Sequence, residues 1–221
     1  MLFPEITRVL DPLPHSAALN MAIDEVLLLH ASAPLLRVYR WKSPAVSFGY
    51  FGKVAEIETA WPGRELVRRW TGGGVVPHGE DFTYTLIVPR DSAFARETPL
   101  TSYAAIHERI ARLLAEQFRM NAELAPMAAQ KVSNACFENP AQHDVLIGAE
   151  KVAGAAQRRT QNGLLHQGSL QVETLPQEFA DTLSFAFAGK VTTRELTANE
   201  IESAAELAQR KYGTDAWLRR W

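Results

Sequence analysis

The chain of 221 residues has one cysteine, Cys136, in the polar stretch SNACFENPAQHD. A thiol with an ordinary pKa of about 8.5 is only a few per cent ionised at neutral pH, so Cys136 attacks a carbonyl only with a cation beside it. Lys151, His78 and His143 are the candidates for that cation. The competing reading is a small apolar filler of the core, the commoner fate of a lone cysteine. The polar neighbours and the following proline argue for a loop instead. A second constellation is RRWTGGGVVPHGEDFTY, residues 68–84. Three glycines in a row, Gly72, Gly73 and Gly74, let the main chain take positive φ and approach a ligand, with N–H groups turned toward a carbonyl or phosphate oxygen. Arg68, Arg69, Thr71 and His78 put cations and donors beside that loop, which suits a carboxylate, a phosphate or a thioester. Without them the triplet would read as a surface turn.

The third constellation is EKVAGAAQRR, residues 150–159. On a regular strand Lys151, Ala153, Ala155 and Gln157 point one way and Val152, Gly154, Ala156 and Arg158 the other. A lysine heading a row of very small residues makes a slot for a narrow ligand whose polar end meets Lys151. Tight packing of the strand on a helix would give the same composition. HQGSL (166–170) then sets His166 and Ser169 beside Gly168, although a lone histidine is more often structural than catalytic.

These residues need elements to hold them. Residues 16–30 place Leu19, Ile23, Val26, Leu27 and His30 on one helical stripe, with Ser16 as cap and Asp24 and Glu25 on the other side. The β-rich runs 35–41 and 45–51, separated by Lys42-Ser43-Pro44, read as a hairpin, followed by strands over 65–70 and 82–88, the latter stopped by Pro89. A second amphipathic helix spans 101–119 through Ile106, Ile110, Leu113, Leu114 and Phe118, and 126–142 reads as a loop. Strand-like runs at 144–148, 150–159 and 164–172 follow, with Asn162-Gly163 as a hairpin turn. Helices over 176–187 and 198–213, joined by a short link, complete the chain. Hairpins interleaved with helices, without βαβ alternation, give an α+β two-layer sandwich with a mixed, mostly antiparallel sheet. The expected organisation is a single domain over 1–221, with 190–221 as a helical extension packed on it.

Composition narrows the function. A net charge of −2 and a pI near 6.3 give no global basic field, which argues against a nucleic-acid partner. No run approaches the roughly 18–20 apolar residues of a membrane span, and the N-terminus lacks signal-peptide order, so the expectation is a cytoplasmic protein without a membrane partner. One cysteine excludes an internal disulfide and a multi-cysteine metal site, and no metal is expected. Neither G-x-G-x-x-G nor a P-loop is present.

In order along the chain, LNMAIDEVLL (19–28), LRVYRWKSPAVSFGYF (36–51), RRWTGGGVVPHG (68–79), KVAGAAQRR (151–159) and LLHQGSL (164–170) resemble the lipoate/biotin protein ligase superfamily, specifically the lipoate-protein ligase A type and its octanoyltransferase relatives. The resemblance implies a fold similar to the catalytic domain of class II aminoacyl-tRNA synthetases and biotin ligases. It implies a tunnel for a C8 acyl chain lined by Arg69, Thr71, Gly72, Gly73, Gly74, His78, Gly154 and Ala155, with His166 and Gly168 on the adjoining strand and Lys151 at the reacting carbonyl. The implied acceptor is a lysine on a lipoyl domain or on glycine-cleavage H protein. Cys136-Phe137 and Lys151, fifteen residues after the cysteine, look like the arrangement in LipM-type octanoyltransferases, which take an octanoyl group from acyl carrier protein through an enzyme thioester and need no cofactor. The alternative within the family is an ATP-dependent ligase, using ATP and Mg, that passes lipoate through an adenylate. Gly74, where the transferases usually carry arginine, is the ligase-like feature. A third alternative is a non-catalytic protein that keeps only the acyl-carrier-binding surface.

Overall fold

The computed structural model describes residues 1–129, 137, 139–172, 175–176 and 178–221. In chain order the elements are β1 (Phe3–Leu10), α1 (Ala17–His30), β2 (Leu35–Tyr39), β3 (Ala45–Phe48), α2 (Val54–Ala60), β4 (Glu65–Arg68), β5 (Val75–His78), β6 (Phe82–Pro89), α3 (Pro99–Phe118), β7 (Ala122–Leu124), β8 (Val145–Ile147), β9 (Glu150–Thr160), β10 (Gly163–Leu170), α4 (Phe179–Phe187), β11 (Ala188–Glu195), α5 (Ala198–Leu207) and α6 (Asp215–Leu218). Eight strands form one sheet in the order β11-β1-β2-β6-β10-β9-β8-β7, and β4-β3-β5 form a second, smaller one. In the large sheet β1 runs parallel to β11 and β2, and the remaining pairs are antiparallel.

Local chemistry accounts for the main boundaries. The Ser16 hydroxyl accepts the Leu19 N–H and starts α1. Thr98 does the same for α3 through Thr101, with Pro99 in the first turn, and Arg119 ends that helix in the left-handed region. The turn that closes β9 on β10 is Gln161-Asn162, one residue earlier than the expected Asn162-Gly163, with Gly163 opening β10 in register with Thr160. Gly163 has no substitute there: its φ is +138°, and a Cβ would come within 2.1 Å of the Val88 carbonyl oxygen.

The α+β class and the mixed, mostly antiparallel sheet are as expected, with one difference in layering. On β6 and β10, Leu86, Val88, Leu164 and Leu170 pack toward α3 and α4, while Ile87 and Leu165 pack toward α1 and α5. Both faces of these central strands are apolar, so helices cover the large sheet on two sides rather than one. Among the described residues no helix is long and apolar enough to cross a membrane.

Four local expectations are corrected. The runs 35–41 and 45–51 do not form a hairpin: β2 pairs with β1 and β6, whereas β3 crosses to the small sheet between β4 and β5. Every residue of β3 is buried, a composition that a two-stranded ribbon could not satisfy. Asp24 and Glu25 do not face solvent: Asp24 is turned onto the large sheet, and the helical turn at Ala208–Tyr212 lies over Glu25. Asp24 takes hydrogen bonds from Arg37, Thr85 and Gln167, and Glu25 takes them from Lys211 and Tyr212. Residues 190–195 are not helical: they belong to β11, an edge strand parallel to β1, and helix resumes only after Thr197. Finally, β9 does not alternate regularly. Lys151 pairs with Leu146 and Ala153 with Val145, which leaves Val152 as an extra residue and makes a β-bulge.

Candidate functional site

The bulge decides where the lysine goes. One extra residue inverts the parity, so Lys151 falls on the face that carries Gly154 and Ala156 rather than opposite it. The lysine stem lies across Gly154 so closely that a Cβ there would meet Cε at 2.4 Å and Nζ at 2.7 Å. Its ammonium is 2.8 Å from Asp144, and both side chains are buried. Asp144 accepts in turn from the Tyr103 hydroxyl at 2.5 Å and from the Ala141 N–H at 2.6 Å, while Tyr103 accepts the Ala155 N–H at 3.0 Å. Tyr103 stands on α3, so helix, loop and strand together fix this cation.

Facing the lysine is the glycine loop. Arg69 donates one guanidinium nitrogen to the carbonyls of both Gly72 and Gly74, at 3.0 and 2.9 Å. A trans peptide points its C=O and N–H in opposite directions, so anchoring the Gly72 carbonyl turns the Gly73 N–H away from the arginine. Gly73 has φ +86°, a conformation that favours glycine. Gly49 lies so near that a Cβ on it would meet the Gly73 carbonyl oxygen at 2.1 Å. An outer cleft of about 530 Å³ lies between this loop and Lys151, bounded also by Phe48, Phe51, Tyr103 and Asp144. An inner cavity of about 30 Å³ is walled by Gly73, Gly154, Ala155 and Ala156 and continues to Met21, Trp41 and His78. Gly73 and Ala155 line both spaces, which places the lysine at the wider end and a narrow slot beyond it.

The inner wall is polar but internally satisfied. His78 Nε2 is 2.6 Å from the Ser47 hydroxyl and Nδ1 is 2.8 Å from Asp81, and the imidazole stacks on Trp41 at 4.1 Å. Asp81 also accepts from Thr83 and Ser169. Burial pulls the His78 pKa down despite Asp81, so the ring is neutral at pH 7; burial works against the Asp81 carboxylate, but the bonds from His78, Ser169 and Thr83 hold its pKa below the ordinary value. A neutral ring donating to Asp81 through Nδ1 accepts the serine proton at Nε2, and the Ser47 oxygen accepts from Arg69 at 2.7 Å. The arrangement has the spacing of a serine, base and acid relay. With Ser47 1% exposed and its oxygen held by a guanidinium, it acts here as a brace on Arg69 and hence on the glycine loop.

Of the residues singled out in the sequence, Arg69, Gly72, Gly73, Gly74, His78, Lys151, Gly154 and Ala155 converge on this cleft and cavity. Thr71 stands behind it, donating to Gln167, which donates to Asp24 on α1. His166 is not in the site. It lies on the α3 side of the sheet, bonded to Tyr84 and Gln157, and burial together with His107 holds its pKa well below normal. Gly168 borders the inner cavity with its backbone, and the face where a side chain would stand is filled by the Tyr84 ring. The residue of β10 opposite Gly154 is Ser169, not His166. Cys136 lies outside the described residues; the ring of Phe137, the next residue in the chain, is centred 5.2 Å from the Lys151 ammonium.

Sequence reasoning missed Ser47, Asp81, Tyr103, Asp144 and Gln167. Tyr103 carries a hydroxyl on the stripe continued by Ile106 and Ile110, a usable signal. Asp81, three residues after His78, was another. Ser47 and Asp144 had none, because only strand pairing brings them to their partners.

The family model described as the lipoyl protein ligase A/B catalytic domain matches residues 16–216. The octanoyltransferase LipM of Kyrpidia tusciae is 33% identical to the chain over 192 residues, covering 80% of this chain and 70% of that one. The octanoyltransferase LipM of Brevibacillus brevis is 29% identical over an alignment of 265 residues, with 93% and 96% covered. Among solved structures, a T. acidophilum protein with bound lipoic acid superposes with a TM-score of 0.79 at 20% identity, covering 98% of this chain and 99% of the other. Lipoate-protein ligase A bound with ATP superposes with a TM-score of 0.78 at 20% identity, with 97% and 98% covered. At such identities the structures speak to the fold.

Proposed function

The chain belongs to the lipoyl protein ligase A/B catalytic domain family, and from that premise we propose that it places an octanoyl or lipoyl group on a lysine of a lipoyl domain or of glycine-cleavage H protein. The observation that carries this reading is the fixed Lys151 where a wide cleft narrows to a slot of glycine and alanine. An acyl chain enters by the outer cleft and widens the inner slot beyond its about 30 Å³, and its carbonyl then lies by the ammonium and the Gly73 N–H, which stabilise the oxyanion as it forms.

In the favoured route the donor is an acyl thioester on acyl carrier protein. The Cys136 thiolate attacks the carbonyl, the donor thiolate leaves and takes a proton, and the acyl group rests on Cys136 as a thioester. The acceptor's neutral amine then attacks the same carbon, Cys136 departs as thiolate, and the amine loses a proton to give the amide. Exchange between thiols is nearly isoenergetic, so the route needs no ATP. Supporting Cys136 are its spacing to Lys151, the match to octanoyltransferases, and the contact of neighbouring Phe137 with that lysine. Gly74 favours a second route, in which ATP and Mg activate the free acid; of the cleft's cations, Lys151 is held by Asp144 and Lys53 is exposed for phosphates.

Intact-mass analysis separates the routes. Incubation with octanoyl-acyl carrier protein should add one octanoyl group, and Cys136→Ala should abolish the adduct. Acylation of a lipoyl domain that requires free acid and ATP and persists in Cys136→Ala would replace the thioester route by the adenylate one. Failure to acylate a lipoyl domain with either donor would leave the non-catalytic alternative.

A further inference from the structure

Aromatic and cationic side chains collect on one bank of the outer cleft, where the Gly49–Gly52 turn meets the last residues of the chain. Phe51, on the cleft wall, is 75% exposed and packs 5.7 Å from Trp221, which is 57% exposed. Tyr50 supports both, with ring centres at 5.0 and 6.0 Å. Arg220 lies over Tyr50, Trp217 and Trp221, and Arg158 over Trp70 and Tyr50, at 4.6–6.0 Å. A guanidinium stacked on a ring keeps its N–H edge available to a carboxylate.

The charge of this bank is not balanced. Lys211 is paired with Glu25, and Arg219 with Glu58 and Asp215, but among the described residues neither Arg158 nor Arg220 is in an ion pair. Burial first, then Arg158 and Arg220, works to lower the Lys211 pKa against the hold of Glu25, and burial followed by Arg220 lowers that of Arg68. Exposed aromatics next to unpaired arginines match the composition of protein interfaces, where Trp, Phe, Tyr and Arg are enriched. The bank is also locked to the site: buried Arg68 donates to the carbonyls of Tyr50, Gly52, Trp217 and Leu218, and the Trp217 indole donates to the Arg68 carbonyl.

We infer that Phe51, Arg158, Arg220 and Trp221 form the docking surface for an acidic face of the domain that presents the acceptor lysine. This rests on the acceptor proposed above and holds for either acyl donor. Among the described residues neither arginine has a carboxylate partner; Arg220 is exposed, Arg158 is half-buried with one guanidinium nitrogen on the Trp70 carbonyl, and their uncompensated charge selects an acidic partner. The lysine side chain has only four methylenes, so the body of its domain must sit at the cleft mouth, whereas a long thioester arm reaches in from further away.

The test uses the full chain with an unacylated lipoyl domain, and with hydroxylamine as a small acceptor that needs no docking surface. In Arg220→Glu and Trp221→Ala the KM for the lipoyl domain should rise about tenfold, with hydroxamate formation within about twofold of wild type. Direct calorimetric binding of the lipoyl domain should weaken in parallel, and this reading survives even in a chain that transfers nothing. Unchanged KM and binding in both variants would overturn the inference. So would hydroxamate formation falling as far as domain acylation, since the bank would then act on the acyl-loading step.

Discussion

The Ser47 hydroxyl joins two systems with no local sequence relation, the His78–Asp81 pair and Arg69. Its removal takes one hydrogen bond from a buried guanidinium and one from a buried imidazole, at about 1–3 kcal/mol each. Ser47→Ala should therefore lower the unfolding free energy by about 2–6 kcal/mol in urea titrations. Because Arg69 also holds Gly72 and Gly74, single-turnover acyl transfer should slow by about tenfold or more, in line with loss of a positioned oxyanion donor. A variant that loses stability but transfers at the wild-type rate would show that the brace serves only the fold. The lysine and the glycine triplet were legible as cleft residues because their chemistry is rare. Ser47 was not, since one serine among the 221 residues acquires meaning only through the register Ser47↔Val76 and Ser47↔Val67.

At the scale of elements, what the sequence showed well were the helices with a single apolar stripe and a cap, and the β9–β10 hairpin, its turn displaced by one residue. What it concealed were features set by partners: the crossing of β3 to the small sheet, the pairing of β11 at the edge, the burial of both faces of α1, and the bulge at Val152. The bulge matters most, because one extra residue carries Lys151 to the glycine side of β9. Two glycines on neighbouring strands make different predictions. At Gly154 a Cβ meets the far end of the Lys151 side chain, so Gly154→Ala should swing the ammonium away from Asp144 and lose about 3 kcal/mol through the broken buried ion pair, with the strand itself kept. Acyl transfer should fall steeply. At Gly168 the Cβ meets the buried Tyr84 ring at 2.3 Å, so Gly168→Ala should cost about 1–3 kcal/mol through overpacking. Denaturation and transfer assays on both variants check the pair; wild-type transfer by Gly154→Ala would contradict the packing described for Lys151 over Gly154.

Across the whole molecule, buried histidines tie stability to pH. His78 lies beside the inner cavity, and His107 and His166 lie between α3 and the large sheet, their rings 5.7 Å apart. Burial lowers all three pKa values; for His107 the fall from 6.5 to about 4 outweighs the opposing charge of Asp144 and its bond to the His143 carbonyl. Below pH 6.5 the unfolded chain binds protons at these rings that the native state refuses, so unfolding becomes easier as pH falls. The stability each ring contributes is therefore full above about 6.5 and is lost as pH drops toward the depressed native value. For His107 the interval amounts to about 3 kcal/mol between pH 6.5 and 4, at roughly 1.4 kcal/mol per unit. Asp81 does not produce this slope, because its pKa lies below 3.8 in the native state and its contribution is lost only at lower pH. Urea unfolding at fixed ionic strength should show midpoints falling steadily from pH 6.5 to 4.5. His107→Asn, which keeps a donor for the His143 carbonyl but cannot titrate, should flatten part of the slope whatever its absolute stability. A wild-type midpoint constant across that range would mean that these rings admit protons in the native state, and the neutral His78 that braces Ser47 and Arg69 would have to be reassigned with them.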